Sequence, residues 1–332
     1  MQDNITLNKI TNEVKNNNGI LKSLVLAHQN PDGDTLGSML ALGVILSDLG
    51  HKVDYVISDP VPEIYQFLPY THFVKLPEDK ALQDQYDFAF SLDCGSVKRL
   101  GKAMMLWQKA KKTINIDHHI SNEKFGDINW IEPEAVSTGQ LVYWLAKNLN
   151  VNFTKEIATL LYTTLLTDTG CFSNSNTNAG AFLWGAELIK LGTDCENVYK
   201  KVFLEKPFKS IKIFGSALNN VELLENGQLI WTYINHEVMK QISATGEDTE
   251  DVVDYMMRTK GVKMGVFFRE DVNETKVSLR SNIDIDVSKI AMSFGGGGHK
   301  RASGINMKYP FTEVKNQVLE KVINELKNYN KN

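Results

Sequence analysis

Short apolar runs that alternate with helical patterns constrain the fold of this chain more than any other feature of its sequence. The first run, Ser23 to Ala27, stops at His28, and after a Pro/Gly turn a helical pattern covers Thr35 to Leu49. Strands that alternate with helices predict parallel pairing in a sheet that helices cover on both faces. Polar side chains follow these runs, at the sheet edge where ligands of such proteins bind.

The same alternation continues through the first half of the chain. Further strands are predicted over residues 52–58, 86–92 and 112–116, with a helical stretch at 98–110. Helices are predicted next, over residues 137–149, 154–166, 179–191 and 197–204. The length of 332 residues favours two domains. We therefore predict a parallel-sheet α/β domain over residues 1–200.

A second, smaller α/β domain is predicted over residues 201–332. Its pattern changes near residues 205–207, and a helical segment at 208–224 precedes strands at 228–234, 262–269 and 276–280. A glycine run at 295–298 and a final helix at 311–328 complete this domain.

Composition excludes several classes of protein. The formal net charge is −4, which argues against a basic surface for long duplex nucleic acid. Three cysteines without zinc-type spacing indicate a reducing compartment. The polar first eighteen residues do not resemble a signal peptide, and no apolar run approaches the length of a membrane helix. We expect a cytoplasmic protein without membrane contact, and the sequence leaves open whether it forms a homodimer.

Acidic or histidine residues end four apolar elements of the first domain. Taken alone, Asp32 and Asp34 are as consistent with caps of the following helix as with metal ligands. Four such clusters at the ligand-binding edge of one sheet favour a site for divalent metal ions. The residues concerned are His28, Asp32, Asp34, Asp93, Asp117, His118, His119 and Asp168.

These motifs resemble, in type and order, those of the DHH phosphoesterase superfamily, which is named for the Asp-His-His sequence found here at 117–119. The second half is similar to the DHH-associated domain, whose Gly-Gly-Gly-His loop corresponds to residues 296–299. Within the superfamily, the chain is most similar to the bacterial nanoRNase and 3′-phosphoadenosine 5′-phosphate phosphatase group. Thr35 departs from the pattern, because relatives often carry a smaller residue at that position.

The resemblance implies two metal ions that share Asp93. One ion would be held by His28, Asp32 and Asp93, and the other by Asp34, Asp93, His118 and Asp168. Four carboxylates roughly cancel the charge of two divalent cations. Mixed imidazole and carboxylate donors suit Mn²⁺ better than Mg²⁺, which prefers oxygen donors and retains water. We therefore expect Mn²⁺, with Mg²⁺ or Co²⁺ as substitutes.

Paired metal ions can activate water for attack on a phosphate ester, so the resemblance implies a hydrolase. The catalytic residues are expected to be Asp93, Asp117 and His119, in a cleft between the two domains. His119 is expected to contact the scissile phosphate or assist the leaving oxygen, and the alternative is that it orients His118 or Asp117. Asp117 is expected to orient an imidazole rather than to bind a metal.

Substrate binding is assigned to both halves of the chain. Backbone N–H groups of the glycine loop can bind a terminal phosphate, although a flexible turn is the commoner role of such a run. Arginines at predicted strand ends can pair with phosphate or stack on a base, and solvation at the surface is the alternative. The predicted residues are Arg99, Arg269, Arg280, Ser281, Gly297, Gly298 and His299.

The predicted function is hydrolysis of very short oligoribonucleotides to mononucleotides, of 3′-phosphoadenosine 5′-phosphate to AMP, or of both. The sequence leaves open hydrolysis of pApA or cyclic di-AMP. It gives less support to a manganese inorganic pyrophosphatase, because the second half has no Ser-Arg-Lys loop. A nucleotide- or RNA-binding protein with a purely structural metal site is the alternative outside the enzymes.

Overall fold

The chain divides into two compact units, Met1–Glu205 and Lys206–Asn332. The structure is a computed structural model that describes residues 4–15 and 19–331. Part of the polar start, residues 1–3 and 16–18, therefore lies outside the described residues. Within them, no helix combines the length and the apolar character needed to cross a lipid bilayer.

A six-stranded parallel sheet forms the centre of the first unit. Its strands are β1 (Lys22–Ala27), β2 (Lys52–Val56), β3 (Val74–Lys75), β4 (Tyr86–Leu92), β5 (Ala110–Asp117) and β6 (Ile128–Ile131). They lie in the order β3-β2-β1-β4-β5-β6, and every neighbouring pair is parallel. The strand order reverses between β1 and β4, which opens a crevice beyond their carboxyl ends. This sheet confirms the predicted parallel α/β fold.

Helices cover the sheet of the first unit. They are α1 (Asn4–Lys15), α2 (Gly33–Asp48), α3 (Met104–Trp107), α4 (Thr138–Leu149), α5 (Lys155–Asp168), α6 (Ala179–Lys190) and α7 (Cys195–Tyr199). The first fourteen residues of α2 are buried, because this helix packs on the sheet and on other helices. At Gly37 the backbones of α2 and α5 come so close that an added Cβ would lie 2.7 Å from the carbonyl oxygen of Leu160.

Several local predictions for the first unit were wrong. The helix expected at 98–110 is a 3-10 segment, Val97–Ala103, followed by the single turn of α3. Gly101 has a φ of 56°, which is not helical and interrupts the 3-10 segment. The helix expected at 197–204 is α7 followed by a π-helical turn, Lys200–Leu204. Strands β3 and β6 were not predicted, because runs of two and four residues carry little periodic signal.

The second unit contains a mixed sheet with the strand order β11-β12-β10-β9-β8-β7. Its strands are β7 (Glu222–Leu224), β8 (Leu229–Ile234), β9 (Met264–Glu270), β10 (Thr275–Ser281), β11 (Gly297–Gly298) and β12 (Ala302–Met307). Among the strand pairs of its described residues, β8 and β9 are parallel and the others are antiparallel. Its helices are α8 (Phe208–Asn219), α9 (His236–Ile242), α10 (Asp251–Met256), α11 (Val287–Ser293) and α12 (Phe311–Lys331).

The second unit confirms the predicted smaller α/β domain but changes one of its elements. The helical segment expected at 208–224 ends at Asn219, and the chain continues into β7. Strand β7 pairs with β8 in antiparallel fashion, with Leu223 opposite Ile230. Antiparallel pairing of β7 with β8 therefore overrides the helical sequence pattern that was expected to continue to residue 224.

Candidate metal centre

The first cluster of metal-type ligands lies at the crevice between β1 and β4. His28 directly follows β1, Asp32 caps the amino terminus of α2, and Asp93 directly follows β4. One donor atom from each of the three lies within 4.8 Å of the others. The backbone of Asp93 has a φ of 55°, in the left-handed region that aspartate tolerates better than most residues.

The hydrogen bonds of His28 prepare its ring for a metal ion. Its Nδ1 lies 2.7 Å from the carbonyl oxygen of Gln29, which can only accept, so Nδ1 carries the proton. In the neutral ring, the lone pair of Nε2 then points toward Asp93, whose Oδ2 is 3.7 Å away. This is the tautomer that a metal-binding imidazole requires.

The second cluster contains Asp34, His118 and Asp168, whose donor atoms also lie within 4.8 Å of one another. Nε2 of His118 is 3.8 Å from Asp34 Oδ2 and 3.9 Å from Asp168 Oδ2. Its Nδ1 lies 3.3 Å from the carbonyl oxygen of Ala135, which fixes the same tautomer as in His28. Close packing of α2 on α5 brings Asp34 and Asp168 to this position.

Asp93 connects the two clusters. Its Oδ2 faces His28, while its Oδ1 lies 3.7 Å from Nε2 of His118 and accepts a hydrogen bond of 3.0 Å from the Thr138 hydroxyl. Burial opposes its negative charge, but the nearby imidazoles of His28, His119 and His118 lower the pKa of Asp93 to about 2. Asp93 is therefore charged and has one oxygen toward each cluster.

The amino terminus of α4 supports the second cluster. The backbone N–H groups of Thr138 and Gly139 donate to the carboxylate of Asp34, at 2.8 and 3.0 Å. Burial and the charges of Asp93, Asp168 and Asp32 nevertheless raise the pKa of Asp34 well above its usual value. Burial and the charges of Asp93 and Asp32 raise the pKa of Asp168 to about 6, although the nearby imidazoles oppose this shift. The carboxylates therefore repel one another, and a cation would relieve this repulsion.

His119 has a different environment from the other two imidazoles. Its Nδ1 donates to Asp117 Oδ1 at 2.7 Å, and this bond raises the pKa of His119 to about 9 against the effect of burial. The Nδ1 atom also lies 3.6 Å from Asp93 Oδ1, so geometry alone allows a third metal-type group of Asp93, His118 and His119. His119 would bind a metal through Nδ1 only by giving up its bond to Asp117.

The clusters fit divalent metal ions in the chemistry of their donors. Four carboxylates and two imidazoles with correctly oriented lone pairs match the charge and the donor types of such ions. The residues that could hold them are His28, Asp32, Asp34, Asp93, His118 and Asp168.

The sequence-predicted substrate residues lie in several environments. In the first unit, the side chain of Arg99 is half-buried. In the second unit, Arg269 donates to the Thr249 hydroxyl at 3.0 Å, and burial lowers its pKa. Arg280 forms a two-bond ion pair with Asp254, at 2.7 and 3.0 Å.

The glycine loop is exposed, and part of it borders a pocket in the second unit. Gly297 and Gly298 form β11, and His299 follows them at the surface. The Ser281 hydroxyl donates to the carbonyl oxygen of Ile283 at 2.8 Å. A cavity of about 590 Å³ brings part of this loop together with Arg269, and its lining includes Arg269, Lys276, Ser278, Gly295, Gly296 and Asn306. Arg280, Ser281, Gly297, Gly298 and His299 are not among its lining residues.

Four residues to which sequence analysis assigned no role contact the side chains of the site. The hydroxyl groups of Thr35 and Thr138 both donate to Asp93, at 2.8 and 3.0 Å. The amide of Asn122 donates to Asp117 at 2.6 Å, and that of Asn176 to Asp168 at 3.0 Å. Only Thr138 had a usable signal, because it lies in the first turn of the helix predicted at 137–149, where backbone N–H groups attract anions.

The fold and these clusters define an α/β protein with a metal-type site at the switch point of a parallel sheet. Residues 22–165 match the model of the DHH family, N-terminal domain, and residues 226–329 match that of the DHHA1 domain. The bifunctional oligoribonuclease and PAP phosphatase NrnA of Thermus thermophilus is 32% identical over 308 residues, covering 91% of this chain and 89% of that protein. The chain belongs to the DHH family of phosphoesterases.

Two further comparisons agree with this assignment. The protein of the same name from Bacillus subtilis is 25% identical over 284 residues, covering 84% of this chain and 87% of that protein. The crystal structure of an exopolyphosphatase-related protein from Bacteroides fragilis matches with a TM-score of 0.92 and 26% identity. That match covers 100% of this chain and 99% of the other, so the similarity extends to both units.

Proposed function

We propose that this protein is a metal-dependent phosphoesterase that hydrolyses very short oligoribonucleotides to mononucleotides and 3′-phosphoadenosine 5′-phosphate to AMP. The observation that carries the proposal is the pair of ligand clusters, with Asp93 of the first cluster 3.7 Å from His118 of the second. The substrate classes come from the Thermus thermophilus and Bacillus subtilis relatives, which are described as oligoribonuclease and PAP phosphatase.

Two divalent cations, Mn²⁺ in our proposal, belong to this function. His28, Asp32 and Asp93 would hold one, and Asp34, Asp93, His118 and Asp168 the other. Bound there, the ions would supply activated water and neutralise phosphate charge. Imidazole donors in both clusters favour Mn²⁺ over Mg²⁺.

The other site residues of the first unit, Asp117, His119 and Arg99, are assigned to binding the substrate and to orienting the side chains that contact it. Asp117 is fully buried and accepts bonds from the backbone N–H groups of His118 and His119, at 2.8 and 3.2 Å, as well as from the His119 ring. This arrangement holds a protonated imidazole beside the clusters, because the pKa of His119 is raised to about 9. We assign His119 and Arg99 to the scissile phosphate, His119 as the group that donates a hydrogen bond or proton to an oxygen of that phosphate.

We assign to the second unit the binding of the part of the substrate that does not react. Its pocket combines the half-buried Arg269, Lys276 and the backbone of Gly295 and Gly296, which together can bind one phosphate group. The exposed Gly297, Gly298 and His299 extend this surface. A net charge of −4 argues against an extended basic surface that would bind a long nucleic acid, so short substrates are favoured. The three free cysteines fit a reducing compartment, the cytoplasm.

A time course of product release tests the proposal. The full chain with saturating Mn²⁺ is incubated with oligoribonucleotides from dimer to ten-mer and with 3′-phosphoadenosine 5′-phosphate. Parallel reactions contain pApA, cyclic di-AMP, inorganic pyrophosphate and inorganic polyphosphate. We expect mononucleotide from the shortest oligoribonucleotides, with rates that fall as length increases, and AMP from the bisphosphate. A chelator should abolish both reactions, and added Mn²⁺ should restore them.

Asp93→Asn is the matched inactive variant for this experiment. It preserves shape but removes the charge shared by the clusters, so we expect activity to fall by more than about 100-fold while the fold persists. Binding of nucleotides without product at saturating metal would instead identify a nucleotide-binding protein. Preferred hydrolysis of pyrophosphate or polyphosphate would move the chain to a different branch of the family.

A further inference from the structure

The hydroxyl group of Thr35 lies against all three ligands of the first cluster. Thr35 Oγ1 is 2.7 Å from His28 Nε2, 2.9 Å from Asp32 Oδ1 and 2.8 Å from Asp93 Oδ2. The residue is completely buried, so water does not compete for these contacts. No ligand assignment made above includes this residue.

With His28 in the neutral form that a metal ligand requires, these contacts contain too few protons. Nε2 of neutral His28 is an acceptor, because Nδ1 carries the proton toward Gln29. The two carboxylate oxygens are acceptors as well, and a hydroxyl group can donate only one proton. One oxygen therefore faces three acceptors at hydrogen-bond distance and satisfies one of them. A cation among these four atoms would supply the missing positive charge.

The distances also fit a shared cation. In an octahedral site with bonds of about 2.1 Å, neighbouring ligands are about 3 Å apart. Thr35 Oγ1 is 2.7 to 2.9 Å from each of the other three donors, which is close to the spacing between neighbouring ligands of an octahedral ion. We propose that Thr35 is a fourth protein ligand of the first cluster, an inference that rests on the metal site of the proposed function.

The position of Thr35 is fixed by its backbone. Its N–H group donates to Asp32 Oδ1 at 2.9 Å, and its carbonyl oxygen accepts from the Ser38 hydroxyl at 3.2 Å in the first turn of α2. The spacings of 2.7 to 2.9 Å between Thr35 Oγ1 and the other three donors suit octahedral ions such as Mn²⁺ and Mg²⁺ better than tetrahedral Zn²⁺, whose ligands lie about 3.3 Å apart.

Mn²⁺ binding to the full chain tests this inference without measuring catalysis. The electron paramagnetic resonance signal of free Mn²⁺ reports binding to wild type, Thr35→Val and Thr35→Ser. We expect two ions to bind wild type. Thr35→Val, which keeps the shape but loses the hydroxyl, should weaken one site at least tenfold and leave the other unchanged. Thr35→Ser, which keeps the hydroxyl, should stay within twofold of wild type.

A matched control is Thr163→Val, because this buried hydroxyl donates to the backbone carbonyl of Thr159 at 2.9 Å and contacts no cluster ligand. It should bind Mn²⁺ as wild type does. Mn²⁺ binding by Thr35→Val that equals or exceeds wild type, in a chain that binds two ions, would overturn the role of Thr35 and leave the proposed function standing. A wild-type chain that binds no Mn²⁺ would remove the metal site itself, and with it both proposals.

A second variant decides the question if Thr35→Val does not fold. Thr35→Cys loaded with Co²⁺ places sulfur where the hydroxyl now contacts the cluster, so we expect a sulfur-to-cobalt charge-transfer absorption that wild type and Thr163→Cys lack. Co²⁺ binding to Thr35→Cys without this absorption would show that residue 35 does not bind the cation.

Discussion

The chemistry of single residues depends here on neighbours that the sequence places far away. Asp93 is useful because its two oxygens face different imidazoles, His28 and His118, each at 3.7 Å. Its left-handed backbone and its backbone bond of 3.1 Å to the carbonyl oxygen of Ile116 turn the side chain into this position. A pattern of apolar residues ending in aspartate predicts the carboxylate but not its direction.

Asn122 illustrates a residue that acts through others. Its amide donates to Asp117 Oδ2 at 2.6 Å and to the Asn115 side chain at 2.8 Å. Asp117 in turn holds the ring of His119. Asn122 is therefore a positioning residue for His119.

Asn122→Ala should lower kcat by about 10- to 100-fold, because a supporting bond to a site residue is lost. We expect the affinity for Mn²⁺ and KM to stay near wild type, since neither cluster contains Asp117. Steady-state kinetics and Mn²⁺ titration of the same samples measure these quantities.

Asn148→Ala is the control for that variant, because the Asn148 amide bonds only to Asn8 and Thr11 among the described side chains. It should retain wild-type kcat. An equal loss of Mn²⁺ affinity and kcat in Asn122→Ala would show that Asn122 supports the metal clusters rather than His119.

At the scale of elements, the contact between α2 and α5 determines whether the second cluster can form. Asp34 lies in the first turn of α2, and Asp168 is the last residue of α5. The two helices approach each other at Gly37, where a side chain would strike the backbone at Leu160. The periodicity of each helix was predictable, but the closeness of the pair was not.

Gly37→Ala should force these helices apart. We expect it to lower the free energy of unfolding by about 1–3 kcal/mol, as overpacking does, and to weaken Mn²⁺ binding in the second cluster. Calorimetric unfolding and Mn²⁺ titration check the two effects.

Gly215→Ala is the contrasting change, because it adds a methyl group at an exposed position in α8 with no neighbour within 4 Å. It should stabilise the protein by about 0.5–1 kcal/mol and leave metal binding unchanged. Wild-type stability and metal affinity in Gly37→Ala would mean that α2 and α5 can separate without cost to the cluster.

At the scale of the whole molecule, the proposed role of the second unit in substrate binding can be tested at Arg280. The guanidinium is already paired with Asp254, which links β10 to α10. An arginine paired in this way either exchanges Asp254 for a substrate phosphate or is purely structural. The two roles differ in what removal of Asp254 does.

For a substrate role, Arg280→Ala should raise KM about tenfold with a smaller change in kcat, since a charged contact to bound substrate is lost. Asp254→Ala, which keeps the positive charge, should not raise KM. Kinetics with a dinucleotide and with 3′-phosphoadenosine 5′-phosphate measure both variants. Equal effects of the two substitutions on KM and on thermal unfolding would assign Arg280 to structure alone.

The parallel sheet, the order of its polar strand ends and the family of the chain could all be predicted from the amino-acid sequence. These features follow from local periodicity and from residue types at fixed spacing, which neighbours in sequence specify. The sequence did not predict strands β3 and β6 or the break at Gly101, because short runs and single backbone angles carry too little periodic signal.

Contacts between distant parts of the chain depend on the tertiary structure. The tautomer of His118, the contact of Thr35 with Asp93 and the pairing of Arg280 with Asp254 depend on groups that other elements bring within about 3 Å, the range of a hydrogen bond. Hydrogen bonds and ion pairs require defined directions and distances, whereas burial of apolar surface does not. An apolar pattern therefore predicts a sheet, but the chemistry at its edge depends on how the helices pack around it.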